Sequence, residues 1–208
     1  NDGKVVVAGY FNPWVTPGIT RLNPDGTADS TWSPVLTFGA GGALELNALA
    51  IQASGRLLVG GNFDSANGTN RNLLVRLNET GTTDTSFDCV VAAGGSVNSV
   101  AEQPDGRYVL GGRFTSVNGV RTIGLARLNH DGSLDASFNA HLRDAFDLRA
   151  IAVRADGRIL AGGNALRIGE LAPRNLICLM SDGAPDPGFA ALSNTLSPVN
   201  AISVQSDG

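Results

Sequence analysis

Five glycines, Gly3, Gly55, Gly106, Gly157 and Gly208, each close the same short phrase: NDG, ASG, PDG, ADG and SDG, with Lys or Arg next in every internal copy. They stand 52, 51, 51 and 51 residues apart. A fixed period of this length constrains the fold more than composition does, because each unit must bury its apolar surface against copies of itself. The chain divides into repeats 1–52, 53–103, 104–154 and 155–205, one array rather than two domains.

Each repeat carries four strand signals in a fixed order. The first reads LNALAIQ (46–52), VNSVAEQ (97–103), LRAIAVR (148–154) and VNAISVQ (199–205). A short turn leads to KVVVAGYF (4–11), RLLVGGNF (56–63), RYVLGGRF (107–114) and RILAGGNA (158–165). The third signal is ITRLN (19–23), LVRLN (74–78), LARLN (125–129) and ICLM (177–180), followed by a second Gly turn. The fourth is short and ends in Trp32, Phe87, Phe138 or Phe189. Four antiparallel strands in about 50 residues predict an all-β fold, a β-propeller of four-stranded blades.

The side chains agree with blades stacked face to face. In the first strand large residues share one face (Leu49 and Ile51, Val100, Ile151 and Val153, Ile202 and Val204) and small ones the other (Ala48 and Ala50, Ser99 and Ala101, Ala150 and Ala152, Ala201 and Ser203). A sheet with one wet face would alternate apolar with polar instead. Glu102 breaks the pattern. The pairs Gly60-Gly61, Gly111-Gly112 and Gly162-Gly163, with Ala8-Gly9, recur at one blade position. Glycine weakens a strand, so its recurrence there predicts close backbone approach between blades or a bend into the next loop. A phosphate-binding glycine loop would need a helix behind it, and no helical period follows.

Composition narrows the partners. The net charge is −4 and no basic run exists, which argues against nucleic acid or an anionic membrane. No stretch of about 18 apolar residues appears, so no membrane insertion is expected. Cys89 and Cys178 have no metal-ligand spacing and read as buried thiols, and no cofactor is expected. His130 in a turn and HLRD (141–144) give acid–base chemistry few candidates. The spacing Asn23, Asp25, Asp29 and Asn129, Asp131, Asp135 faintly resembles a calcium loop, but Asp-Gly is also a common hairpin turn and the second copy has Thr80 in place of the Asp.

The shared pattern VNAIAVQ-xDG-RILVGGxF-xSxNG-xxRN-xxRLN-xDGSLDxSF resembles the delta-60 repeat, a β-propeller repeat of large bacterial proteins. Repeat 104–154 carries it best, with PDGRYVLGGRFTSVNGV and LARLNHDGSLDASF. The fourth repeat departs most: Ala165 replaces the Phe, Cys178 the Arg and Met180 the Asn. The resemblance implies a secreted or surface bacterial protein without assigned catalytic activity.

Two edges are expected to be open, since strand 4–11 lacks a first strand ahead of it and strand 199–205 lacks a second. Four blades closing on themselves, two chains exchanging strands, or flanking blades of a longer chain would each satisfy both edges. The chain begins on Asn1 and carries the turn at both ends, which favours flanking blades. Function is expected on the variable loops opposite the Gly turns, where Trp14, Phe38, Arg71, Arg121, His141, Arg143 and Phe146 are the groups able to grip a ligand. The reading is a non-enzymatic extracellular or cell-surface scaffold that presents this rim to a protein or glycan. A lectin-like propeller and a propeller-fold hydrolase are the alternatives.

Overall fold

The computed structural model describes residues 2–9, 18–39, 44–92, 94–144, 147–169, 172–189 and 197–205. Among them every regular element is a β-strand. β1 (Val5–Ala8) pairs antiparallel with β2 (Ile19–Leu22) to make the first blade. The two-residue β3 (Leu36–Thr37) leads to the second, built from β4 (Glu45–Ile51) and β5 (Leu57–Asn62). A small hairpin of β6 (Ser65–Ala66) and β7 (Thr69–Asn70) follows, and β8 (Leu74–Leu77) completes the order β4-β5-β8. The third blade repeats this plan with β9 (Ser96–Glu102), β10 (Tyr108–Arg113), the hairpin β11 (Ser116–Val117) and β12 (Val120–Arg121), and β13 (Leu125–Leu128). The fourth has β14 (Leu142–Asp144), β15 (Asp147–Val153), a ten-residue β16 (Ile159–Ile168) and β17 (Arg174–Leu179).

The fourth strand of every repeat shrinks to one antiparallel bridge: Leu22 to Ala28, Leu77 to Thr83, Leu128 to Leu134 and Leu179 to Pro185. A second tight turn follows at once. Its Asp carbonyl accepts from the amide three residues on, as in Asp29 to Trp32 and Asp84 to Phe87. The chain bends there instead of running along its neighbour.

Alternate residues of each second strand serve different interfaces. Leu57 and Val59 join the cluster that includes Ile19 and Trp32 of the first repeat, whereas Leu58 packs with Tyr108 and Leu110 of the third. Val109 turns the other way, toward Leu148, Ile159 and Ala161. Three cores therefore lie between consecutive blades. The large-on-small stacking holds, for Val100 and Ala50 flank one core and Ile151, Val153 and Ala101 the next. Each fully buried Leu or Val adds about 1.5–3 kcal/mol of apolar transfer energy. Glu102 is exposed at the end of its strand, where a charge costs little.

The glycine pairs answer to two different neighbours. A Cβ on the first glycine would strike the next blade: Gly60 would lie 2.6 Å from the Val97 methyl, and Gly111 would run into Leu148 and Ile151. A Cβ on the second would strike its own blade, at the carbonyls of Glu45, Ser96 and Asp147 for Gly61, Gly112 and Gly163. The register slips beside these contacts, between Leu46 and Ala48, Gly111 and Gly112, and Leu148 and Ala150. Both expected reasons operate at once: close packing and a β-bulge.

The segment 199–205 is not a strand in this structure. It lies beside the fourth blade, with the Val199 amide donating to the Gly163 carbonyl at 3.0 Å and the Ile202 side chain over Gly162. Among the described residues β1 pairs with β2 alone.

Candidate functional site

The rim that bears the Gly turns is locked by charge. Arg21, Arg76 and Arg127, each central in its third strand, donate from Nε to Oδ2 of Asp29, Asp84 and Asp135 at 2.8 Å. The basic residue that opens the second strand reaches the same carboxylate: Lys4 at 2.8 Å, Arg56 at 3.4 Å and Arg107 at 2.6 Å. Each Arg also lies over its repeat's aromatic ring, 5.3 Å from Trp32, 4.6 Å from Phe87 and 4.7 Å from Phe138. Nη1 then crosses to the following repeat, donating to the carbonyl of Glu79 at 2.8 Å, of His130 at 2.6 Å and of Ser181. The other carboxylate oxygen accepts the amide and hydroxyl of Thr31, Ser86 or Ser137.

Burial opposes the charge on Asp135, but the Ser137 hydroxyl and amide, Arg107 and Arg127 outweigh it and hold the carboxyl well below the usual range. Asp29 is likewise held well below by Lys4 first, with Thr31 and Arg21 adding to it. These carboxylates are consumed by N–H and O–H donors. Asp25 and Asp131 accept from Thr27 and Ser133 in their own turns. The carboxylates of the calcium-like spacing thus serve as turn caps and ion-pair partners.

The loops after the second strands do not stay on the far rim. The hairpins fold back along the blade, β6 pairing with β3 and Val117 bridging to Val91. Asn67 and Asn118 sit at their tips with positive φ of 49° and 50°. Each takes a two-way grip on the segment leaving the previous blade. Asn118 donates its amide to the Val90 carbonyl and accepts the Val90 amide on Oδ1, both at 2.7 Å, while Nδ2 donates to Gly132 at 3.0 Å. Asn67 does the same with Val35 and Gly81. The SxNG phrase is a clamp between blades.

The fourth repeat lacks that phrase, and here the surface differs. β16 runs on to pair with β14, and Gly169 takes the clamp's backbone role, donating to the His141 carbonyl at 3.1 Å. His141 is held at φ 50° with its amide on Asn139 Oδ1 at 2.8 Å. Between this segment and the third repeat's hairpin lies a cleft of about 400 Å³. Arg121, Thr122, Asn139 and His141 line it with polar groups beside the Arg127–Asp135 lock, and Ile123, Leu134 and Leu142 are among its apolar walls. Val120 lies at its mouth, 53% exposed. A guanidinium and an imidazole over apolar walls suit a ligand that offers a carboxylate or hydroxyls above a flat apolar face.

Of the residues singled out from sequence, Arg121 and His141 meet in this cleft. Arg143 is exposed two residues on, and Phe38 and half-buried Arg71 lie in other repeats. Trp14 and Phe146 fall outside the described residues. His130 packs edge-on against Tyr108, their ring centroids 6.2 Å apart. Cys89 and Cys178 are buried free thiols, and burial beside Asp88 pushes Cys89 up to about 12. Sequence reasoning missed the Arg–Asp lock. Its signal was present as a constant spacing of eight residues within each of the first three repeats.

Stacked antiparallel blades joined at one rim by such locks define a β-propeller array. The family model described as "Domain of unknown function (DUF5122) beta-propeller" matches residues 1–31, 52–87, 103–138 and 154–189, and the chain belongs to that family. Among solved structures it is similar to a protein of unknown function from Bacteroides caccae, at 12% identity and a TM-score of 0.32, over 80% of this chain and 72% of that one. It is also similar to the extracellular domain of the putative one component system BT4673 from B. thetaiotaomicron, at 15% identity and a TM-score of 0.36. That likeness covers 89% of this chain and 28% of the other. No curated protein matches the chain.

Proposed function

We propose that this chain is a non-enzymatic binding module of the delta-60 type that uses its blades as a rigid support and the cleft at Arg121 and His141 to hold a protein or glycan ligand. The carrying observation is that Arg121, His141 and exposed Val120 converge on one concavity beside the Arg127–Asp135 lock, whose charges are taken up by each other. An extracellular or cell-surface place follows from the repeat resemblance, and the partner classes leave out nucleic acid because the chain is acidic. Binding to glycan and peptide arrays tests the reading. Retained ligand that is lost at least tenfold with Arg121→Ala or His141→Ala, at unchanged melting temperature, supports it. Ligand lost only with Trp14→Ala moves the site to the first repeat, and turnover of a hydrolase substrate abolished by His141→Ala replaces binding with catalysis.

A further inference from the structure

We infer that the concavity between the second and third blades, on the rim of the Gly turns, is a binding site for a protonated primary amine. It is separate from the cleft at Arg121 and His141. Three departures from the repeat meet there. Glu102 stands where the other repeats have Ile51, Val153 and Val204. Tyr108 stands in place of Val5, Leu57 and Ile159, and His130 in place of Pro24, Glu79 and Ser181. Tyr108 faces Glu102 across the β9–β10 pair, and the His130 ring meets the Tyr108 ring edge-on. All three line a cleft of about 550 Å³ together with Gln52 and Asp131.

The second observation is a buried amide with one end unused. In the following junction Gln103 is engaged at both ends, accepting from Arg127 Nη1 and donating to the Gly157 carbonyl, both at 3.4 Å. Gln52 holds the same place one blade earlier and is 7% exposed. Its Nε2 donates to the Tyr108 hydroxyl, and its Oε1 is buried with no hydrogen-bond partner. Tyr108 thus draws the amide away from the pairing that its counterpart makes. A buried acceptor without a donor costs stability, and a ligand that brings the donor recovers it.

The charges around the cleft set the sign of that ligand. Arg76 is engaged by Asp84 at 2.8 Å, the His130 carbonyl at 2.6 Å and Ser86 at 3.2 Å. Arg56 is drawn to the same Asp84 at 3.4 Å. Two guanidinium charges therefore stand against three carboxylates, those of Asp84, Glu102 and Asp131, and the excess is negative. Asp131 uses Oδ1 for the Ser133 amide and hydroxyl, and exposed Glu102 has no ion pair among the described residues. The groups left over are acceptors: Glu102, the second oxygen of Asp131 and Gln52 Oε1. An ammonium brings three N–H donors and one positive charge, which answers both needs. A lysine side chain of a partner protein and an amino sugar present the same group.

Chemical-shift titration of the 208-residue chain with Nα-acetyl-lysine amide and with D-glucosamine tests the assignment, beside the uncharged Nα-acetyl-norleucine amide and D-glucose. Binding of an amine without binding of its uncharged counterpart is expected, and the amine that binds tighter names the source. Glu102→Val restores the residue type of its counterparts, so it should leave the melting temperature unchanged yet weaken amine binding about fivefold. Glu102→Gln keeps the shape, removes the charge and should weaken it about threefold. Three results overturn the assignment: no shift with either amine up to about 50 mM, equal binding of the uncharged counterparts, or an affinity that survives both changes at Glu102.

Discussion

The third and fourth repeats differ where the first three agree. Arg127 ties Asp135, Gln103 and the Ser181 carbonyl together over the Phe138 ring. In the fourth repeat the same place holds Cys178, whose thiol reaches Asp186 at 3.8 Å and a neighbouring carbonyl at 3.9 Å. Asp186 keeps Arg158 at 3.0 Å, the counterpart of Lys4, Arg56 and Arg107. Arg154 stands where the second and third blades have Gln52 and Gln103, its Nε buried without a hydrogen bond. The three-stranded core of the blade and its glycine pair are nonetheless the same. The apolar alternation and the glycine bulge make the blade, then, while the charged lock fastens one blade to the next and is separable from it.

The largest effect tests the shared framework. A Cβ at Gly112 meets the Ser96 carbonyl and one at Gly163 meets the Asp147 carbonyl, backbone that cannot rotate away. Gly112→Ala and Gly163→Ala should each cost about 3 kcal/mol or more, measured by urea unfolding. A mild Gly163→Ala beside a severe Gly112→Ala would mean that the fourth blade is built differently, and the comparison would fail.

Next comes the lock. Arg127→Cys copies the fourth repeat into the third and leaves Asp135 buried with Arg107 as its one remaining ion-pair partner. It should cost about 1.5–3 kcal/mol, the loss of charge-assisted hydrogen bonds, since Arg107 still compensates the carboxylate. The reverse change, Cys178→Arg, should move stability by about 1 kcal/mol at most, because Arg158 already holds Asp186 and Arg154 crowds the site. Equal and opposite effects would show the lock to be a simple additive pair.

Acid should separate the repeats less sharply. Asp29, Asp84 and Asp135 are all held below their ordinary carboxyl range in the folded chain. A lowered folded value contributes stability that is full above the unfolded value, about 4, and is lost as pH falls through the folded one. The melting temperature should stay level from pH 8 to about 5 and fall below about 4. Arg127→Cys should flatten that fall, since its Asp135 is held less tightly; an unchanged slope would assign the acid sensitivity to other groups.

How far the sequence could be read follows from what each feature repeats. The blades were legible because alternation and glycine bulges recur at every period, as at Gly60-Gly61 and Gly111-Gly112. The shrunken fourth strand was not, since Ala28, Thr83, Leu134 and Pro185 bridge singly and a single bridge has no period. The folded-back hairpins were hidden too. Nothing in SANG or SVNG says that Asn67 and Asn118 will reach Gly81 and Gly132 fourteen residues on. Arg121 and His141 were named as loop residues, but their meeting depends on β16 running past the point where the other repeats turn.

The smallest effect concerns that turn. Asn118 contributes a side-chain grip at both ends and tolerates φ 50°, which most residues do not. Asn118→Ala loses the two side-chain bonds and also pays for the left-handed backbone, so it should cost about 2 kcal/mol. Asn118→Gly loses the bonds alone and should cost about 1 kcal/mol. The fourth repeat has already made that second change, for Gly169 keeps the amide bond to His141 at φ 52°. There the other half of the grip is taken over by Asn139, whose Oδ1 receives the His141 amide. Gly169→Asn should therefore shift stability by no more than about 0.5 kcal/mol, because the acceptor it would offer has no free amide to serve. A gain as large as the loss from Asn118→Gly would show the His141 amide poorly satisfied by Asn139, and the two junctions would then be one clamp in two states of repair rather than two solutions to the same turn.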